Sequence, residues 1–247
     1  MTDETNASPG GPQPAAPPLD MKSRLIDALM ALAAERVWEE ISISDVAGRA
    51  GVSLADFRDQ FPSKGAIVAA FARKIDRIVL EGSGKDLADE TAKERLFDTL
   101  MRRLDAMAPY REGVEGVFDW SRREPLAASA LNGVALNSMR FMLEASGIDS
   151  EGPLGTLKLQ GLVLAFNRVM TVWFQDEPDN ARTMAVLDRE LQRGGRFMAR
   201  AEDIRRVTSP LRTLARALME SGRNRSSTRR RSRYDDGEPE AYASESA

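Results

Sequence analysis

The chain has 247 residues with a net charge of −3, 42% hydrophobic and 30% charged residues, the balance of a globular protein with enough chain to bury a core. It contains neither Cys nor His, which removes disulfides, thiolate and imidazole metal sites, Ser-His and Cys-His nucleophile pairs and a histidine proton shuttle. The weakly acidic total gives no general attraction to nucleic acid, so any such affinity must be local.

Residues 1–20, MTDETNASPGGPQPAAPPLD, are acidic and rich in Pro and Gly. They read as a disordered arm, with no basic start and apolar run of a secretory signal, and the expected compartment is the cytoplasm. From Met21 the period is helical: Leu25, Leu29, Leu32 and Arg36, flanked by Ile26, Met30, Ala33 and Val37, form one stripe. A second helix is predicted over Ile43–Ala50 and a third over Leu54–Phe61. Pro62-Ser63 opens a fourth, with Ile67, Phe71, Ile75 and Ile78 on one face.

The segment EGSGKD (Glu81–Asp86) contains GSGK, but a phosphate loop needs Gly where Val79 stands and Ser or Thr where Asp86 stands, so it reads as a linker. Beyond it, Leu96, Phe97, Leu100, Met101 and Leu104 mark a helix stopped by Pro109, and Val114, Val117 and Phe118 a short one. A helix from about Pro125 to Gly147 follows, then the most apolar one (Leu159, Leu162, Val163, Phe166, Met170, Trp173). The last of this group runs from Asp179 to about Arg193 with Met184, Leu187 and Leu191. Strand alternation and hairpin signals are absent, and the expected fold is all-α. Ser209-Pro210 starts an amphipathic helix over 209–220. The arginine-rich and then acidic residues 221–247 read as a disordered charged tail, with auxiliary phosphate binding as its second reading.

Two short helices share one device. Ser42-Ile43-Ser44-Asp45 and Ser53-Leu54-Ala55-Asp56 each place a capping hydroxyl three residues before an acid in the first turn. Gly51 sits where the chain leaves the second helix, and Val52 is the apolar plug of the turn. Two capped helices joined in this way make a helix-turn-helix.

With these elements in place, ISISDVAGRAGVSLADFRDQFPSKGAIVAAF resembles the N-terminal domain of TetR-family transcriptional regulators. The likeness covers about Arg24–Val79. It implies a three-helix DNA-binding domain at 21–80 and a helical ligand-binding and dimerisation domain at 87–205. It further implies a homodimeric repressor, not an enzyme and without a cofactor, that binds a palindromic DNA operator and answers to a small apolar effector. Carried onto this chain, Leu54, Ala55, Asp56, Arg58, Asp59 and Gln60 would face DNA, with Ser42 and Ser53 at the flanks and Phe57 and Phe61 anchoring the helix. Lys64 matches the family's phosphate-contacting Lys, and Arg58 stands where the family usually has a phosphate-contacting Tyr.

Charge is sparse in this region. Lys22, Arg24, Arg36, Arg49, Arg58, Lys64, Arg73, Lys74 and Arg77 oppose Asp27, Glu35, Glu39, Glu40, Asp45, Asp56, Asp59 and Asp76, a balance of +1, little for a surface that must neutralise phosphates. Asp56 has two readings, a helix cap or an acceptor from cytosine, and the S-x-x-D spacing favours the cap.

Met139, Met142, Phe166, Met170 and Trp173 fit an adaptable ligand pocket, or plain core and a dimer seam. Trp38 and Trp120 read as core. Asp176, Glu177 and Asp179 read as helix-start acids ahead of a hard-cation site. A second resemblance stands beside the first. VWFQDEPDNARTMAVLDREL (Val172–Leu191) is similar to the TetR-fold lipid-binding proteins of ubiquinone biosynthesis. That likeness implies an isoprenoid-binding accessory protein with a relic helix-turn-helix, touching the membrane surface through 209–220.

Overall fold

The starts of the first five α-helices are set by side chains that accept early backbone N–H groups, as the computed structural model shows. It describes residues 20–82, 89–152 and 154–201. The expected arm (1–19), the 83–88 part of the linker, the amphipathic helix 209–220 and the tail 221–247 lie outside the described residues. The described residues are helical throughout, with no strand among them.

Helix α1 (Met21–Glu35) starts at Asp20, whose carboxylate accepts from Ser23 N at 2.7 Å. It buries Leu25, Ile26, Leu29, Met30 and Leu32. The apolar stripe ends earlier than its sequence pattern. Arg36 is extended (φ −141°), so Val37 falls outside the helix and is 48% exposed. After a 3-10 turn at Trp38–Glu40 come α2 (Ile43–Ala50), α3 (Leu54–Gln60) and α4 (Lys64–Glu81). On α4, Ile67, Phe71 and Ile75 are buried, but the stripe continues through Val79. Ile78, expected on that face, is 47% exposed, because the i, i+4 step from Ile75 lands on Val79.

Next come α5 (Ala92–Met107), α6 (Arg111–Arg123), α7 (Pro125–Ala145) and α8 (Gly155–Trp173). Pro109 falls in a 3-10 turn between α5 and α6. There its missing N–H costs no helical bond, and α6 runs well beyond the short stretch that its apolar residues mark. Pro125 opens α7 at a first-turn position, and Gly147 closes it at φ 73° with Ile148 N bonded to Leu143 O at 2.9 Å.

Asn180, at φ 54°, precedes a helix over 181–191, α9. Its entry is held by the buried Asp176, whose carboxylate accepts from Thr183 N and Oγ1, both at 2.7 Å. Asp179, another of the expected helix-start acids, accepts from Ala181 N at 3.1 Å. Of the expected core residues on α9, Leu187 and Leu191 are buried and Met184 is 38% exposed. The chain divides into two units, 1–191 and 192–247. In the second, residues 192–201 are helical, although the apolar pattern stops near Arg193.

Two of the contacts between the first four helices and those that follow are buried and close. On α6, a Cβ on Gly113 would lie 2.2 Å from Met30 O, and one on Gly116 would lie 2.2 Å from Ala33 O. The helices therefore touch backbone to backbone, which only glycine permits. Between α4, α5 and α7, the buried Asp76 carboxylate bonds the buried Arg103 guanidinium on one oxygen and accepts from Ser138 Oγ at 2.8 Å on the other. Arg103 Nε has no hydrogen-bond partner among the described residues.

Glycine inside a helix costs about 1 kcal/mol relative to alanine, so the sign of a Gly→Ala change separates contact from propensity. Gly113→Ala and Gly116→Ala should each destabilise the protein by about 1–3 kcal/mol through overpacking. Gly133→Ala on α7, where a Cβ meets nothing within 4 Å, should stabilise it by about 0.5–1 kcal/mol. Urea unfolding of the three variants checks both signs.

Candidate nucleic-acid interface

The turn between α2 and α3 is built from its backbone outward. Gly51 takes the left-handed conformation (φ 64°), and Val52 N bonds Ala47 O at 3.0 Å. Arg24, reaching across from α1, donates through Nη2 to Ala50 O and to Gly51 O, the latter at 3.0 Å. No sequence motif singles out Arg24, and its guanidinium fixes the turn by satisfying carbonyls that the ended helix leaves open.

Both predicted caps form as reciprocal pairs. At α2, Asp45 N donates to Ser42 Oγ at 3.0 Å, while the Asp45 carboxylate accepts from Ser42 N at 2.8 Å and Ser42 Oγ at 2.6 Å. At α3, Asp56 N donates to Ser53 Oγ at 3.0 Å, and its carboxylate accepts from Ser53 N at 3.3 Å and Ser53 Oγ at 2.7 Å. The side-chain bond from each serine, then its backbone N–H, holds both carboxyls below the usual aspartate range. Asp56 is thus a structural acid at the start of α3.

The buried side of α3 is Phe57, with Phe61 following it into the core, as expected. Its solvent side presents Leu54 (55% exposed), Ala55, Arg58 and Asp59, with Asp56 and Gln60 half-buried at the edges. Neither Arg58 nor Asp59 has an ion-pair partner among the described residues.

Several other cations of this region are held by groups of their own chain. Lys64, predicted to meet a phosphate, donates from Nζ to Trp38 O at 2.9 Å and to Ile41 O, and lies 4.6 Å from the centre of the Trp38 ring. Burial lowers its pKa. Trp38 itself stacks on Trp120 of α6 at 4.4 Å. Trp38 is buried, and Trp120, expected in the core, is half-buried and packs against it. Arg49 is bidentate to Glu35 at 2.9 and 2.6 Å, and Arg36 lies 3.7 Å from Asp45. Lys74 bonds Asp27 at 3.0 Å and Tyr110 Oη at 2.8 Å. Burial opposes charge on Lys74, yet these two bonds leave its pKa raised.

The five residues read as a ligand pocket lie elsewhere, in the core. Met139, Met142, Phe166, Met170 and Trp173 are all at most 7% exposed. None lines the open concavity of about 750 Å³ between α1 and the start of α6 (Asp27, Ala31, Tyr110, Arg111), nor the one of about 310 Å³ between α4 and α7 (Ala69, Arg73, Gly133, Asn137). Nothing in the residue pattern pointed to either concavity, since both are lined by small and charged residues from distant parts of the chain. Among the described residues no group of three or more acidic side chains could hold a metal ion, and no helix is long and apolar enough to cross a membrane.

The caps make a pH-dependent contribution whose sign is fixed. Because folding depresses the Asp45 and Asp56 pKa values, their stabilisation is complete above the unfolded carboxylate value of about 4 and is lost as pH falls through the folded values. Ser53→Ala should cost about 1 kcal/mol at pH 7. The gap in melting temperature between Ser53→Ala and wild type should shrink as pH is lowered below about 4, a series that circular dichroism follows.

No family model matches the chain. The HTH-type transcriptional regulator AlkX of Mycobacterium tuberculosis is 29% identical over 120 residues, 47% of this chain, so the match spans about half (49%) of that regulator's length. A TetR transcriptional regulator from Nitrosomonas europaea ATCC 19718 superposes with a TM-score of 0.57 at 24% identity, over 71% of this chain and 98% of that one. Another, from Rhodococcus sp. RHA1, superposes with a TM-score of 0.53 at 19% identity, over 70% and 94%. These proteins are transcriptional regulators, which lends no support to the lipid-binding reading. The described residues, all helical and with a capped helix-turn-helix packed on a helical body, have the fold of TetR-type transcriptional regulators.

Proposed function

We propose that the chain is a TetR-family transcriptional regulator, a homodimeric repressor that binds a palindromic operator through α3 and releases it when an apolar effector enters the body. The observation that carries this reading is the exposed face of α3. A short helix, capped at its start by Ser53 and Asp56 and anchored by Phe57 and Phe61, presents Leu54, Ala55, Arg58 and Asp59 to solvent. Such a helix fits a major groove. The likeness to AlkX, an HTH-type transcriptional regulator, supports it.

Arg58 supplies the phosphate contact with a full charge. Lys22, Arg73 and Arg77 are the other cations of the head for which neither an ion pair nor a side-chain hydrogen bond occurs among the described residues. Leu157 and Leu164 on α8, 40% and 50% exposed and two turns apart, and Met184 on α9 supply an apolar surface for the second protomer. Because the five pocket residues are packed tight, an effector that reaches them separates α7 from α8. Any such opening acts on α4 through Ser138, Asp76 and Arg103.

Selection from a random duplex library should recover a palindromic sequence. Fluorescence anisotropy on that duplex should give an affinity that falls steeply with salt. Arg58→Ala should weaken binding about tenfold and lower the salt slope by about one per protomer. Arg58 is the clean probe, since Lys64→Ala also removes two bonds to carbonyls and should lower the melting temperature. Binding with no sequence preference overturns the proposal.

A further inference from the structure

The recognition surface carries one acid that the fold does not use. Asp56 is committed to Ser53, but Asp59, one turn beyond Ala55, is exposed and bonds no described residue. Its position is costly for a DNA-facing helix. The head has few cations, and most are held by carbonyls or acids of their own chain: Arg24 by the turn, Arg36 by Asp45, Arg49 by Glu35, Lys64 by Trp38 and Ile41, Lys74 by Asp27. An unpaired carboxylate next to the one free arginine of α3 repels phosphate and raises nothing in stability.

A carboxylate in the major groove accepts hydrogen bonds and donates none. Guanine presents two acceptors there and thymine a carbonyl and a methyl group, so both are disfavoured. Adenine pairs its amino group with an adjacent acceptor, N7, which opposes the second carboxylate oxygen. Cytosine alone offers an amino donor, N4, with no acceptor beside it on the same base. Resting on the regulator reading above, we propose that Asp59 is a specificity-determining residue that selects cytosine at one position of each operator half-site and lowers affinity for every other sequence. Leu54 and Ala55, on the same exposed side of α3, match thymine methyl groups next to it.

The test uses the full chain, selecting duplexes from a random library with wild type, Asp59→Ala and Asp59→Asn. Asp56→Asn is the control for a capping acid. Wild type should prefer cytosine over guanine by at least about tenfold at one position per half-site. Asp59→Ala should lose that preference, keep the rest of the selected sequence, bind random duplex more tightly and melt at the wild-type temperature. Asp59→Asn should shift the position toward adenine, which an amide pairs through both of its groups. Asp56→Asn should lower the melting temperature and leave the base preference intact. If wild type selects a sequence and Asp59→Ala selects the same one at every position, this assignment falls and the regulator reading stands. If wild type selects no sequence, both fall.

Discussion

The crossing of α1 over α6 sets the position of the helix-turn-helix. Gly113 and Gly116 leave no side chain between the helices, so the carbonyls of Met30 and Ala33 rest on the α6 backbone. The other side of α1 holds the helix-turn-helix, through its packing on α2 and through Arg24, which closes the turn at Ala50 and Gly51. At Gly113 and Gly116 no side chain lies between the α6 and α1 backbones, so the two helices hold each other at a fixed distance there. The Trp38–Trp120 stack and the Asp76–Arg103–Ser138 group join the same two halves at separate points. Contacts of different chemistry thus connect the head to the body.

Within the head, charge is spent mainly on architecture. Two aspartates cap helices, and five cations satisfy carbonyls or neighbouring acids. Asp76 belongs to the buried pair with Arg103 and contributes nothing to the surface. Without it, nine cations face seven acids between Lys22 and Arg77, against the balance of +1 read from sequence alone. Under the proposed function, a surface of this kind would meet DNA through a few well-placed contacts rather than through a broad positive field, and that makes each uncommitted group on α3 consequential.

Local signals in the sequence carried the helix-turn-helix well. The S-x-x-D spacing, Gly51 and the two phenylalanines act over a few residues, and the structure realises each of them. Contacts between distant segments left no such trace. Lys64 reads as a surface cation by type and place, yet two carbonyls from the 38–41 turn and a tryptophan ring draw it in. Val37 and Ile78 continue an apolar period past the point where the backbone bends away or the register shifts. The five pocket residues share the spacing of core and of cavity alike, and only packing separates the two. Gly113 and Gly116 look like weak points in a helix until α1 is laid against them.

In the proposed complex α3 lies in a major groove as one of a symmetric pair. Hydroxyl-radical footprinting of the full chain on its selected duplex tests it most directly. That placement requires two protected windows related by a dyad, their centres separated by about one helical turn of DNA or a multiple of it, both lost when Leu54, Ala55 and Arg58 are replaced together. A uniform footprint, or paired windows that survive that replacement, would contradict it.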